Sequence, residues 1–523
     1  MSSIRCLLKK NLKTCLNVNT RSVLDIFSSR AVSSGNFVVT EPLNFINGHR
    51  VECKDACEQF QLEEPATGDV ICNMDGSGQR DVDEAVRCAK EAQLSWRATS
   101  GFERSKIILK AANLLAKRKE EMARIEVYDT GKPIWEARAD VQTAIDSLEY
   151  FGGIASALCG QHITLPSGSF GYTRREPLGV IGAIGAWNFP IQMAGWKSAP
   201  ALACGNAVVY KPSQFAPLST LFLGEVFQES GLPPGLYNVI QGGAYTGQLL
   251  TSHEDIAKVT FTGSVQTGAK VMKSCADGIK YVTLELGGKS PLILFDDCDL
   301  ESAVNATMGA NYLSQGQVCS NATRVFIHEN IYNKMITRLI PRVKSIVPGD
   351  PHHEDTQTGP MINTAQAEKV LGFIERAKKE GAEVLCGGEL VTMENTALKG
   401  SYISPCIIRA SDEMEISREE VFGPVMNVYS FQTEEEVLMR GNNTDFGLAA
   451  GVFTRDLNRA HRIAAKLEAG NCFINNFNVY PVELPFGGYK KSGIGKENGT
   501  QTIEYFTQLK SVYVEANPVE KII

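Results

Sequence analysis

Long runs of one charge sign are missing from this 523-residue chain, and its net charge of −7 leaves no basic face of the kind that grips nucleic acid. CxxC pairs are missing as well. The 14 cysteines are scattered and no secretory leader is read, so neither a disulfide framework nor a cysteine metal site is expected. His352 and His353 have no partners at ligand spacing, and no metal is expected there either. There is no repeat of fixed period, no low-complexity tract and no GxGxxG fingerprint. Residues 177–196 are free of charge over the length of a membrane span, but Gly179, Gly182, Gly185, Pro190 and Gly195 interrupt them. A buried strand at 179–184, a loop at 187–190 and then a helix account for the run better, and no membrane segment is expected.

What is present is ordinary for a globular protein: 43% hydrophobic and 21% charged residues, in a chain too long for one hydrophobic core. Apolar runs at 207–210, 237–240 and 258–261 alternate with a helical pattern at 219–230, which predicts parallel α/β structure in two or more lobes. Residues 502–514 alternate polar and apolar, predicting an exposed strand that pairs either with another subunit's sheet edge or within its own subunit. Glu434, Glu435 and Glu436 read as a solvated helix start. The first 34 residues carry Arg5, Lys9, Lys10, Lys13, Arg21 and Arg30 against Asp25, a local +5, with Ile4, Leu7, Leu8, Cys15 and Leu16 able to share one helical face. A mitochondrial transit peptide has this composition; a basic tail on a cytoplasmic protein is the alternative.

Four short segments carry residues suited to chemistry. Gly316-Gln-Val-Cys319 sets a thiol beside a flexible glycine, where a thiolate could reach a carbonyl carbon, although most free cysteines are inert core residues. Leu284-Glu285-Leu286-Gly-Gly-Lys289 places a carboxylate in an apolar strand end, where it is either paired structurally or held for proton transfer. Trp187-Asn188-Phe189-Pro190 ends an apolar strand with an amide that can serve an oxyanion or cap the next helix. Lys211-Pro-Ser213 and Phe261-Thr-Gly-Ser264 each follow a strand and precede a helix, the place where phosphate and ribose oxygens are favoured.

Together with Glu420-Val-Phe-Gly-Pro424 and Pro485-Phe-Gly-Gly-Tyr-Lys490, these segments occur in an order that resembles the NAD(P)-dependent aldehyde dehydrogenases, from about Phe37 to the C-terminus. Gly171-Tyr-Thr-Arg-Arg-Glu-Pro177, residues 196–203 and residues 481–485 are similar to the branch of that family acting on aldehydes that bear trimethylammonium or amino groups. The resemblance implies an α/β fold with a Rossmann-like coenzyme domain (35–158 and 178–287), a catalytic domain (288–490) and a small β oligomerisation element (159–177 and 491–523) behind the 1–34 segment. It implies a homotetramer, a small-molecule aldehyde as substrate and NAD as cofactor. Cys319 is then the nucleophile, Asn188 an oxyanion donor, Glu285 the general base and Glu497 a second acid. Coenzyme contacts are implied at Ile184, Trp187, Lys211, Ser213, Gln214, Gly247, Gly263, Ser264, Val265, Gln266, Thr267, Gln366, Glu420 and Phe422. Gln214 stands where NAD-preferring relatives often carry glutamate, and an amide does not repel a 2′-phosphate. Phe189, Trp196, Tyr480 and Phe486 match the substrate tunnel, where aromatic faces attract a quaternary ammonium, and Glu483 adds charge. Leu313, six residues before the nucleophile, leaves that aromatic box short of one ring, and an apolar tunnel for neutral aldehydes is the alternative.

Overall fold

The computed structural model describes residues 37–519 apart from residue 42, so the 1–34 segment lies outside the described residues. Two large sheets organise the chain. The first has eight strands in the order His49–Val51, Asn44–Ile46, Tyr237–Val239, Ala207–Lys211, Val180–Ile184, Ile256–Thr262, Tyr281–Glu285 and Gly493–Ile494. Its five central strands run parallel, with antiparallel strands added at both edges. Val180–Ile184 and Ala207–Lys211 are buried throughout, as their unbroken apolar character requires in a sheet covered on both faces. Chain order runs outward from Val180–Ile184 to Tyr237–Val239, then returns to its other side with Ile256–Thr262. This reversal opens a crevice past the carboxyl ends of the strands.

The second sheet has seven strands in the order Glu383–Cys386, Cys406–Arg409, Val425–Phe431, Arg324–His328, Pro291–Leu294, Ala449–Phe453 and Asn471–Ile474, all parallel except the first. Its core includes Leu292, Leu294, Val325, Ile327 and Val428 on one face and Ile293, Phe326, Tyr429 and Val452 on the other. Against the first sheet and the helices beside it, Pro190–Ala203 forms a helix buried at every position but Gln192.

A third sheet pairs Thr507–Val514 with Phe170–Pro177 over eight residues, and Phe170–Pro177 with His162–Thr164. The strand expected at 502–514 therefore begins only at Thr507. Ile503–Phe506 is a helical turn, so the alternation there was fortuitous. Within the 491–523 segment, Gly493–Ile494 returns to the first sheet beside Tyr281–Glu285, and belongs to that lobe. Thr433 caps the helix that Glu434–Glu436 begin. Among the described residues no helix is long and apolar enough to cross a membrane, and no group of three His, Cys, Asp or Glu side chains is placed to hold a metal.

Candidate active site

Asn188 leaves the end of the Val180–Ile184 strand and is buried. It does not cap the following helix; Phe189 holds the cap position, and the Asn188 Nδ2 donates instead to the Gln317 carbonyl at 2.9 Å. The amide is thereby tied two residues from Cys319. The turn before Cys319 is left-handed at Ser314 (φ 48°), Gln315 (φ 55°) and Gly316 (φ 71°). A Cβ at Gly316 would also lie 2.1 Å from the Gly423 carbonyl oxygen, so only glycine fits there.

Two more glycines let three chain segments converge on the thiol. A Cβ at Gly288 would lie 2.3 Å from the Cys319 carbonyl oxygen, and one at Gly287 would lie 2.4 Å from Glu420 Oε2. The Gly288 N–H donates to Glu420 Oε1 at 3.0 Å. Burial pushes the Cys319 thiol well above its ordinary pKa; the Glu420 and Glu285 carboxylates push the same way, while the Cys319 and Ser320 backbone N–H groups oppose them. Burial likewise raises Glu420, to about 7.

Glu285 ends the Tyr281–Glu285 strand, buried, with neither carboxylate oxygen hydrogen-bonded. Burial first, and the nearby Glu497 second, hold it well above the usual carboxylate range; Lys197 and Lys496 offset part of this. Glu497 is also buried, ion-paired with Lys197 and accepting from Thr260 Oγ1 at 3.3 Å. Lys197 escaped the sequence reading, although it is the single charge in the otherwise neutral Pro190–Ala203 helix. A charge alone in a buried segment was the available signal.

Asn188, Glu285 and Cys319 all open on one cleft of about 1370 Å³ at the strand reversal. Ile184, Trp187, Lys211, Ser213, Gln214 and Gly247 line it from the first sheet and its loops. Gly263, Ser264 and Thr267 line it at the start of the Val265–Ala276 helix, and Gln366, Glu420 and Phe422 line it from the second lobe. Val265 and Gln266, expected in the same wall, lie in the first turn of that helix outside the lining, because side chains one and two residues past the cap turn to other faces. Glu497 sits behind the wall rather than in it. Lys211 is buried, donates to the Pro212 and Gly242 carbonyls, and is lowered to about 8 by burial. Phe422, itself at φ 59°, meets Trp187 edge-on at 5.3 Å, and its carbonyl accepts from Gln366 Nε2 at 2.8 Å.

On the far side of the thiol, Trp196 and Phe486 form a buried cluster with Met193 and Leu448, against which Phe189, Cys319 and Tyr480 pack. Ring centroids of Trp196 and Tyr480 lie 5.4 and 5.0 Å from Phe486. The Lys132 ammonium stands 4.4 Å above the Phe189 ring, so one face expected to meet a substrate cation already has a cation from the protein. Leu313 is half-buried where the turn to Cys319 begins, and Glu483 is exposed in the loop before Phe486, its charge adding to the burial that raises the Tyr150 phenol.

A model of the aldehyde dehydrogenase family matches residues 52–512. The chain belongs to the aldehyde dehydrogenase family. This aldehyde dehydrogenase is 56% identical to the 4-trimethylaminobutyraldehyde dehydrogenase of Sus scrofa over 94% of its own length and 100% of that protein's. Among solved structures, the NAD+ complex of an aldehyde dehydrogenase from Bacillus cereus is similar at a TM-score of 0.88 and 39% identity, covering 92% of this chain and 98% of the other. The betaine aldehyde dehydrogenase of Staphylococcus aureus in complex with NAD+ has the same TM-score at 35% identity, over 92% and 96%.

Proposed function

We propose that this aldehyde dehydrogenase uses NAD to oxidise 4-trimethylaminobutyraldehyde, and with it aminoaldehydes such as betaine aldehyde, to their carboxylic acids, serving the carnitine-precursor pathway. The observation that carries the chemistry is the opening of Asn188, Glu285 and Cys319 on one cleft, although 97 and then 34 residues separate them in the chain. The 56% identity over 94% of the chain supports the substrate.

The cleft suits a dinucleotide. The Lys211 ammonium, the N–H groups at the start of the Val265–Ala276 helix and the bare backbone of Gly263 favour anionic oxygens, and Gln366, Glu420 and Phe422 close the opposite end. When bound there, NAD supplies the acceptor for the hydride released from the aldehyde carbon. The protein's own groups do the rest. Cys319 gives up its S–H proton to water in the cleft, and its sulfur bonds to the carbonyl carbon as the C=O electron pair moves to oxygen. One Asn188 N–H is spent on Gln317, and the second, with the Cys319 backbone N–H, stabilises the oxyanion. The C=O reforms as hydride leaves, giving a thioester on Cys319. Glu285 then takes a proton from water, whose oxygen bonds to the carbon as the carbon–sulfur bond breaks, and the acid departs. Lys197 and Glu497 offer a buried route along which that proton leaves Glu285.

Trp196, Tyr480 and Phe486 supply aromatic faces for a quaternary ammonium, each contributing roughly 0.5–2 kcal/mol when desolvated, and Glu483 draws the cation inward from its exposed loop. Leu313 favours the second reading, an apolar tunnel for neutral aliphatic aldehydes. Steady-state kcat/KM for trimethylaminobutyraldehyde, betaine aldehyde and a neutral aldehyde of equal length decides between them; equal efficiency for the neutral compound overturns the cation reading. A burst of NADH that survives Cys319→Ala overturns the covalent chemistry itself.

The assembly we infer is a homotetramer built through the Phe170–Pro177 and Thr507–Val514 sheet, whose Leu509 and Tyr513 are exposed. A monomeric mass in solution counts against it. The composition of residues 1–34 supports a mitochondrial location, against which an uncleaved cytoplasmic product would stand.

A further inference from the structure

Glu136 and Asp140, four residues apart, share one face of the Ile134–Ile154 helix, and Lys132, just before its start, turns its ammonium onto that face to pair with Asp140. That face is buried: Lys132 is 1% exposed and Glu136 and Asp140 6% each, with the fully buried Glu126 alongside. Four ionisable groups in one core site are a poor way to stabilise a fold, because apolar side chains of similar volume do as well without the desolvation cost. What they accomplish here is to hold backbone atoms on both sides of the reacting sulfur. Lys132 Nζ pairs with Asp140, lies 4.0 Å from Glu126 Oε1 and donates to the Asn188 carbonyl at 2.7 Å. Glu126 Oε1 accepts from the Ile191 N–H at 3.3 Å, fixing the start of the helix that follows Asn188. Glu136 Oε2 accepts from the Ser314 N–H at 2.8 Å, in the left-handed turn that presents Cys319. With the Asn188 amide donating to Gln317, the contacts close a loop from Lys132 through Asn188, Gln317 and Ser314 to Glu136.

We propose that Lys132 is a positioning residue for the oxidation, aiming the Asn188 amide at the oxyanion through its bond to the Asn188 carbonyl, with Glu136 holding the Cys319 turn in register from the same helix face. This rests on the oxyanion role given to Asn188. The mechanism is testable because Asn188→Ala keeps the carbonyl that Lys132 holds but removes the amide it aims.

The experiment is a double-mutant cycle on the pre-steady-state NADH burst, using Lys132→Met, Asn188→Ala and the pair. Misplacing the donor by an ångström is expected to slow the Lys132→Met burst by on the order of 100-fold. In the Asn188→Ala background the same change should cost less than about twofold, since coupled residues do not add. Equal factors in both backgrounds, or an unchanged burst accompanied only by a lower Tm, would overturn the proposal. If Lys132→Met does not fold, Lys132→Met with Asp140→Asn removes the ion pair as a unit and is run through the same cycle. An unchanged burst in Asn188→Ala alone sinks the oxyanion role and this inference together; equal factors with Asn188→Ala impaired sink this inference only.

Discussion

Gly288→Ala tests whether the Leu284–Lys289 segment governs the nucleophile by contact. The φ of Gly288 is not in the left-handed region, so alanine is conformationally allowed and the effect is steric. The new Cβ would stand 2.3 Å from the Cys319 carbonyl oxygen, where ordinary contact begins at 3.4 Å, and Leu448 Cβ, at 3.3 Å, blocks retreat on another side. Roughly 1 Å must therefore be found, and the Cys319 backbone is what remains to give. A displacement of that size in a reacting group costs on the order of 100-fold in rate, or about 2.7 kcal/mol of barrier. The assay is the amplitude and rate of the NADH burst at saturating aldehyde and coenzyme. Gly309→Ala is the control: it lies in the Leu300–Tyr312 helix with nothing within 4 Å of the added carbon, and should gain about 1 kcal/mol of helix stability while leaving the burst intact. A Gly288→Ala burst within threefold of the parent would refute the steric argument.

Glu285→Gln should still acylate, giving one burst of NADH, while steady-state turnover falls by roughly 10²–10⁴. Since the base works only when ionised and burial holds Glu285 above the ordinary range, parent turnover should climb with pH through that raised value and the variant's should not. A matching climb in Glu285→Gln would assign it to another group. Lys289 is 1% exposed, its ammonium lacks a hydrogen-bond partner, and burial lowers it from 10.5 to about 7, the Arg324 guanidinium adding to the effect. Between those values the unfolded chain holds a proton the folded one does not. The Lys289 contribution to stability should thus rise by about 1.4 kcal/mol per pH unit from 7 to 10, with a full cost of about 5 kcal/mol below 7. Lys289→Met removes that cost, so urea unfolding should show its advantage largest at pH 7 and shrinking towards pH 10; a difference independent of pH would contradict it. Gln214→Glu should raise the ratio of kcat/KM for NAD over NADP by about tenfold, through repulsion of a 2′-phosphate near a cleft-lining carboxylate. No change in the ratio would remove Gln214 from the ribose end of the site.

The parallel strands at Val180–Ile184, Ala207–Lys211 and Ile256–Thr262 were legible because both faces of each are buried, leaving nearly unbroken apolar runs between glycines and prolines. The strand after Thr507 was legible in part: alternation marks exposure on one side, yet Ile503–Phe506 shows the same alternation in a helical turn too short to display a period. Asn188 could be read either as a cap or as an oxyanion donor. A distant carbonyl, at Gln317, takes its amide, and local sequence holds no trace of that partner. Lys132 is harder still, since a lysine next to proline before an amphipathic helix looks like any solvated helix start until three carboxylates and a backbone carbonyl are found around it.

The residue types and their local settings belong to the chain itself: a thiol after a glycine that alone tolerates its backbone, a carboxylate at an apolar strand end, an amide past a buried strand. Which of them share a site was decided only when the strand order reversed beside Val180–Ile184 and the second sheet closed over the opening. Sequence separation constrains distance only along the chain, whereas acyl chemistry needs donor, base and sulfur within a few ångströms, and that proximity is a property of packing alone.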